Sequence, residues 1–297
     1  MSEAVPAFQA GCTAMRDPGP LAAACAEAAR LPAGDERAAR AFLEAHFEPA
    51  SAGEGLITGY YEPVLRISPV RAPGFTAPLL APAPDAPDMD RAGIEAAVAR
   101  GEWPGEILAW ADPVDAFFLQ IQGSGRGVYP DGTVRRLGYA GKNQHPYVPI
   151  GRLLIERGAM AREDVSMQSI RAWLQEAPPE EARALMQGNP SWVFFGWRDD
   201  LPAEGGPAGT LGAPLTPGRS VAVDRAHTPL GSLLWITTRH PLSGEKLERL
   251  VVAGDTGGAI RGPARADLFW GWGDEAGAAA GQMREKGRVW VLRPKGG

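Results

Sequence analysis

"GDTGGAIRGPARADLFWGWG", residues 254–273, sets two carboxylates, Asp255 and Asp267, on either side of a glycine-rich turn that runs into aromatic residues. Three chemistries use such a stretch. An aspartic protease needs two Asp-Thr/Ser-Gly loops whose carboxyls share a proton, and the chain has no second one. A phosphate loop needs the order Gly-x-x-x-x-Gly-Lys-Ser/Thr, which "GGAIRG" lacks, and the "GSGRG" at 123–127 does not lead into a helical pattern. Ser124 in that second run is no nucleophile elbow, because the residue two before it is Gln122 rather than Gly. A third reading is the acid of an enzyme that cuts sugars, and an ordinary turn role for each Asp stays open beside it.

Outward from this stretch the chain reads as short strands: "RSVAVD", "SLLWITT", "LERLVVAGDT", "ADLFWG" and "GRVWVLRP". Short strands punctuated by Gly/Pro turns indicate barrels rather than a doubly wound sheet. Asp224 in "VAVDRAHTPLG" joins Asp255 and Asp267 as a third aspartate at a strand end. Taken singly, an Asp before a turn commonly does no more than bond its own backbone.

Nearer the start, "GDERAARAFLEAHF" offers Asp35 as a helix cap and Ala38, Phe42, Leu43 and Phe47 as an apolar stripe at helical spacing. From Leu56 the period becomes two, and "LITGYYEPVLRI" reads as a strand with Thr58, Tyr60 and Glu62 on one face. The proline-rich "SPVRAPGFTAPLLAPAPDAPD" reads as extended loop and as the crossing into a second domain. A helix follows near Arg91 to Arg100, then strands at "EILAWA", "DAFFLQIQGSG" and "TVRRLGYAG", and helices at "IGRLLIERG" and "SMQSIRAWLQ".

The 297 residues include 38 Gly and 28 Pro and carry a net charge of −5. That length suits two compact domains, or one with a large insertion. With the charge mild and evenly spread, no basic stripe points to nucleic acid and no polybasic run to a membrane surface. No apolar run reaches the roughly 18–20 residues of a membrane helix, and the first residues lack the layout of a secretion signal. His46, His145, His227 and His240 are scattered, so neither a metal nor another cofactor is implied. Cys12 and Cys25 are either a disulfide stapling two N-terminal helices in an oxidising compartment or two small buried hydrophobes.

Together the segments carry a resemblance. "SVAVDRAHTPLGSLLWI", "AGDTGGAIRGPARADLFWGWG" and the closing "GRVWVL" resemble the three-aspartate (3D) domain of the MltA-type lytic transglycosylases, which cleave peptidoglycan. "ITGYYEPVL", "FFLQIQGSGRG", "LGYAGKNQHPYVPIGRLLIERG", "DVSMQSIRAWL" and "NPSWVFF" are similar to further segments of that family in the same order, so the match covers roughly residues 54–293. It implies a mainly β fold with flanking helices: a double-psi β-barrel interrupted by an inserted second β-barrel, with a substrate groove between them. The expected divisions are 1–68 and 199–297 for the first domain and 69–198 for the insert. By the resemblance Asp267 is the catalytic acid and base, Asp255 lies beside it, and Asp224 is the third named aspartate. Their partner is the glycan strand of peptidoglycan, along with other cell-wall proteins; the setting is the periplasm, with outer-membrane association through an anchor not visible in this chain.

A sugar-cutting acid must stay protonated near neutral pH, which apolar surroundings such as Leu268, Phe269, Trp270 and Trp272 provide by penalising the charged form. Gly257, Gly258 and Ala259 would let backbone approach the sugar. Thr58, Tyr60, Tyr61, Gln120, Gln122, Gly123, Ser124, Lys142 and Asn143 supply uncharged or hydrogen-bonding groups for the groove, although each is also an ordinary turn or sheet residue. The competing readings are a two-carboxylate glycan hydrolase and a non-catalytic peptidoglycan-binding protein.

Overall fold

A computed structural model describes residues 1–201 and 205–296. The chain divides into two units: Met1–Tyr61 with Pro202–Gly297, and Glu62–Leu201.

The first unit begins with three helices, α1 (Val5–Ala14), α2 (Ala22–Ala28) and α3 (Glu36–His46). As its sequence signals, α3 is capped by Asp35, whose side chain accepts the Ala38 N–H at 2.9 Å. Cys12 on α1 and Cys25 on α2 form a disulfide with their Cα atoms 5.5 Å apart, so the disulfide alternative holds. The chain then enters β1 (Phe47–Glu62), a strand that starts well before the change of period at Leu56.

The second unit is built on β2 (Val64–Ser68), β3 (Ala77–Leu80), α4 (Arg91–Ala99), β4 (Ile107–Ala111), α5 (Pro113–Gln122), β5 (Gly125–Val128) and β6 (Val134–Lys142). Three helices, α6 (Ile150–Glu156), α7 (Met167–Glu176) and α8 (Pro179–Gln187), precede its last strand β7 (Val193–Trp197). The order β3-β4-β2-β5-β6-β7 makes a six-stranded sheet. Leu80 of β3 and Phe194 of β7, on the two end strands of that order, share one apolar cluster with Ile94 and Trp192. Because Val64–Ser68 ladders with β4 and β5, the crossing between units falls at 61/62, ahead of the 68/69 division expected from the proline-rich stretch.

Two further expectations are corrected here. "DAFFLQIQGSG" is not a strand: residues 113–122 are helical, started by the Asp112 side chain accepting the Val114 and Asp115 N–H groups and stopped by Gly123 at φ 83°. The proline-rich loop also contains a strand, β3, paired with β4.

Back in the first unit come β8 (Ser220–Val223), β9 (Leu233–Arg239), β10 (Lys246–Thr256), β11 (Ala266–Trp272), α9 (Gly273–Gln282) and β12 (Arg284–Pro294). The order β1-β11-β8-β10-β9-β12 closes into a barrel. Strand periodicity sorts the side chains. Ile57, Val221, Val223, Leu234, Ile236, Val251, Ala253, Ala266, Leu268 and Val289 fill the interior. The alternate residues Leu233, Leu250 and Val252 point outward, where Phe8, Phe42 and Phe47 cover them.

Candidate active site

The site grows out of β8. Asp267 on β11 stands opposite Ala222 in antiparallel register, and Asp255 on β10 stands opposite the same Ala222 in parallel register. With strands about 4.8 Å apart, the two aspartates sit roughly 10 Å from each other, Cα to Cα, across one strand. Strict alternation would not bring Asp255 there, since Val251 and Ala253 point into the barrel. A bulge between Ala253 and Asp255 shifts the register by one residue and turns Asp255 onto the outer face with Ala222. Bulges beside active sites re-aim side chains in this way.

Strand β1, beside β11, supplies one group for each carboxylate. The Thr58 hydroxyl donates a short hydrogen bond to Asp267 Oδ1 and accepts one from Arg265 Nη2 at 2.8 Å. Two residues on, the Tyr60 hydroxyl donates to Asp255 Oδ2 at 3.1 Å, while its ring leans on Phe269 with centroids 5.3 Å apart. Asp255 Oδ1 accepts the Thr210 N–H at 2.9 Å and the Thr210 hydroxyl at 2.7 Å. Asp255 is thus held by three donors.

Burial pushes the Asp267 carboxyl above the ordinary aspartate range, and neighbouring Asp255 adds to the rise; the Thr58 hydrogen bond and the Arg265 charge pull the other way. The Tyr60 phenol is driven well up by burial and by both aspartates, so it stays a neutral donor. One carboxyl biased toward its protonated form, tied to a neutral hydroxyl, is what a general acid requires.

Asp224 is placed differently. Its oxygens accept the Ala226 N–H at 3.1 Å and the Gly262 N–H at 2.9 Å, and those bonds hold its carboxyl below the usual range. It fastens the turn after β8 to the loop before β11. Gly257, Gly258 and Ala259 form a turn closed by the Ile260 N–H on the Gly257 carbonyl; Gly258 and Ala259 are exposed. A Cβ on Gly258 would meet nothing within 4 Å, whereas one on Gly257 would crowd Ile260. Tyr61 is buried with its ring against Gly277 of α9.

The remaining candidates lie in the second unit. Gln120 is buried and accepts from Arg91 Nη2 at 2.7 Å, and Asn143 is buried with its amide donating to the Met89 and Pro190 carbonyls and accepting the Trp192 N–H. Both are bonded within the second unit in this way. Gln122, Gly123 and Ser124 run from the end of α5 toward β5, partly exposed, and Lys142 is exposed at the end of β6.

Sequence reasoning missed Arg265 and Thr210. Arg265 carries a signal, because two residues before Asp267 on an extended segment shares its face. Thr210 sits in a loop without periodicity. Among the described residues no group of three His, Cys, Asp or Glu is placed to hold a metal, and no helix is long and apolar enough to cross a membrane.

Two family models match the chain: the MltA specific insert domain over residues 56–196 and the 3D domain over residues 219–293. Membrane-bound lytic murein transglycosylase A of Escherichia coli (strain K12) is 38% identical over 249 residues, 81% of this chain and 66% of that protein, so the chain spans just under two thirds of that relative's length. The protein of the same name from Vibrio cholerae is 35% identical over 287 residues, 93% of this chain and 71% of its own length. The solved structure of E. coli MltA with bound chitohexaose, 32% identical, superposes with a TM-score of 0.78 over 98% of this chain and 90% of that one. With the insert matched, the 3D barrel in place and paired aspartates on its outer face, the chain belongs to the MltA family of lytic murein transglycosylases.

Proposed function

We propose that this protein is a lytic transglycosylase that cleaves the β-1,4 bond between N-acetylmuramic acid and N-acetylglucosamine in peptidoglycan, with Asp267 acting as acid and then as base. The observation that carries the reading is the Asp267 carboxyl, raised by burial and held by Thr58 on the outer face of the barrel. Asp267 passes its proton to the glycosidic oxygen as the C1–O bond breaks, and N-acetylglucosamine leaves as the alcohol. The carboxylate then takes the proton of the muramic C6 hydroxyl, whose oxygen bonds to C1 and closes a 1,6-anhydro ring. Atoms balance without water. The nucleophile belongs to the substrate, so the entropy of bringing it to C1 is already met.

Asp255 supports the single-carboxyl route. Its oxygens are engaged by Tyr60 and Thr210, which leaves it poorly suited to attack a sugar or activate water, and suits it to fix local charge and geometry. The E. coli relative's complex with chitohexaose supports a β-1,4 glycan as ligand. The relatives are named membrane-bound, and the Cys12–Cys25 disulfide fits an oxidising compartment. Both support a place in the cell envelope, on the periplasmic side where peptidoglycan lies.

Mass spectrometry of products from purified peptidoglycan tests the reading. The wild-type protein should release fragments ending in 1,6-anhydromuramic acid, and Asp267→Asn should reduce their release by about a thousandfold. Reducing ends one water heavier would make the protein a hydrolase.

A further inference from the structure

Within the second unit a cavity of about 660 Å³ lies among α4, α5, α7, α8 and β4, a size that holds a ligand of drug or short-peptide dimensions. Four arginines line it, Arg71, Arg91, Arg171 and Arg183, against three carboxyls, Glu95, Asp112 and Asp115. The carboxyls are committed. Asp115 pairs with Arg171 and Glu95 with Arg183, while Asp112 accepts the first N–H groups of α5. Arg71 and Arg91 form no ion pair among the described residues.

Arg91 is the unusual member. It is only 3% exposed, and its donors go to neutral acceptors: Nε to the Asn189 carbonyl at 2.9 Å, Nη2 to Gln120 Oε1 and the Ser191 carbonyl, each at 2.7 Å. The guanidinium sits 4.8 Å from the Phe117 ring centroid and 5.0 Å from that of Trp192. Its Nη1 makes no hydrogen bond among the described residues. Burial pulls this guanidinium down to about 10, and the charge of Glu95, itself paired with Arg183, only partly offsets that. A buried cation lining a roomy cavity is stabilised by an anion that enters it.

We propose that this cavity binds the terminal carboxylate of a short peptide, with Arg91 as buried counter-charge, Arg71 at the rim and the Trp110 and Phe117 rings against the peptide body. The cavity carries one cationic charge in excess, and its three carboxyls disfavour a dianion such as phosphate. The aromatic walls want an apolar body behind the charge. On the peptidoglycan reading the peptide is the stem attached to the glycan, and that assignment of the source rests on the reading above.

The test is an NMR titration of the full chain, following the Arg91 Nε–H and Trp110 indole signals. The probes are N-acetyl-trialanine with a free carboxylate, its C-terminal amide, sodium acetate and inorganic phosphate. The free acid should give saturable shifts, with the amide and acetate at least roughly tenfold weaker. Arg91→Lys, which keeps the charge and loses the fork, should weaken the acid by roughly tenfold. Should that variant fail to fold, Arg71→Gln at the exposed rim should still weaken it severalfold. Equal binding of the amide, equal shifts from acetate, tighter binding of phosphate, or no saturable shift at millimolar peptide would each overturn the proposal. Peptide binding involves no cleavage, so its loss beside intact 1,6-anhydro product formation would remove this inference alone. Peptide binding without glycan cleavage would support the cavity and remove its peptidoglycan source.

Discussion

The chemistry at Asp267 is set by opposing neighbours, and each predicts a direction. Activity that needs the protonated carboxyl falls as pH rises through its raised value. Thr58→Val removes a hydrogen bond that lowers that value, so the alkaline limb of the kcat/KM profile should move to higher pH; Asp255→Asn removes a charge that raises it, so the limb should move lower. Profiles that coincide with the wild type in both variants would exclude Asp267 as the titrating acid. The same shift appears in stability. The folded protein holds the Asp267 proton more tightly than the unfolded chain does, so the contribution is complete in acid and is lost as pH rises through the folded value. Asp267→Asn should therefore raise Tm at neutral pH and lose that advantage in acid. A neutral-pH Tm at or below that of the wild type would contradict a carboxyl penalised by burial.

At the scale of elements, the site depends on β1 lying flat beneath its neighbours. A Cβ on Gly59 would come 2.7 Å from Trp270 Nε1 and 3.0 Å from the Ala280 Cα, so Gly59→Ala must displace the Trp270 ring and press on the α9 backbone. Overpacking of this kind costs about 1–3 kcal/mol, and it would disturb Thr58 and Tyr60 on either side. Urea unfolding should show that loss together with reduced kcat, and an unchanged midpoint would refute the packing argument. The strands around the three aspartates were legible because alternation and Gly/Pro turns agree there. Asp255 reaches the outer face only through the bulge at Gly254, for which alternation gives no sign beyond the glycine itself. Residues 115–125 read as a strand because large apolar side chains alternate with polar ones, yet Asp112-Pro113 and Gly123 carried the start and stop of a helix. Helix α9 escaped because "GDEAGAAAGQ" offers little periodic signal; its Gly277 serves the close approach of Tyr61.

For the molecule as a whole, the N-terminal helices cover one face of the barrel, and the disulfide ties α1 to α2 across 13 residues of sequence. Closing a loop of that size in the unfolded chain is worth about 3 kcal/mol. The Cys12→Ser, Cys25→Ser double variant should lose about that much, read as a lower denaturation midpoint, and equal midpoints for oxidised and variant protein would show the link to be dispensable. The two-unit organisation was legible in outline, because a proline-rich stretch and a return to strands mark an insertion. The crossing at 61/62 was not, since β1 and β2 form one continuous extended run interrupted only by Pro63. In the proposed reaction Asp267 serves a substrate that supplies its own nucleophile. Digestion of purified peptidoglycan in H₂¹⁸O tests it most directly. Attack by the muramic C6 hydroxyl should leave products that carry no ¹⁸O at the muramic C1, whereas ¹⁸O at that carbon would show that water attacks and that the site is a hydrolase.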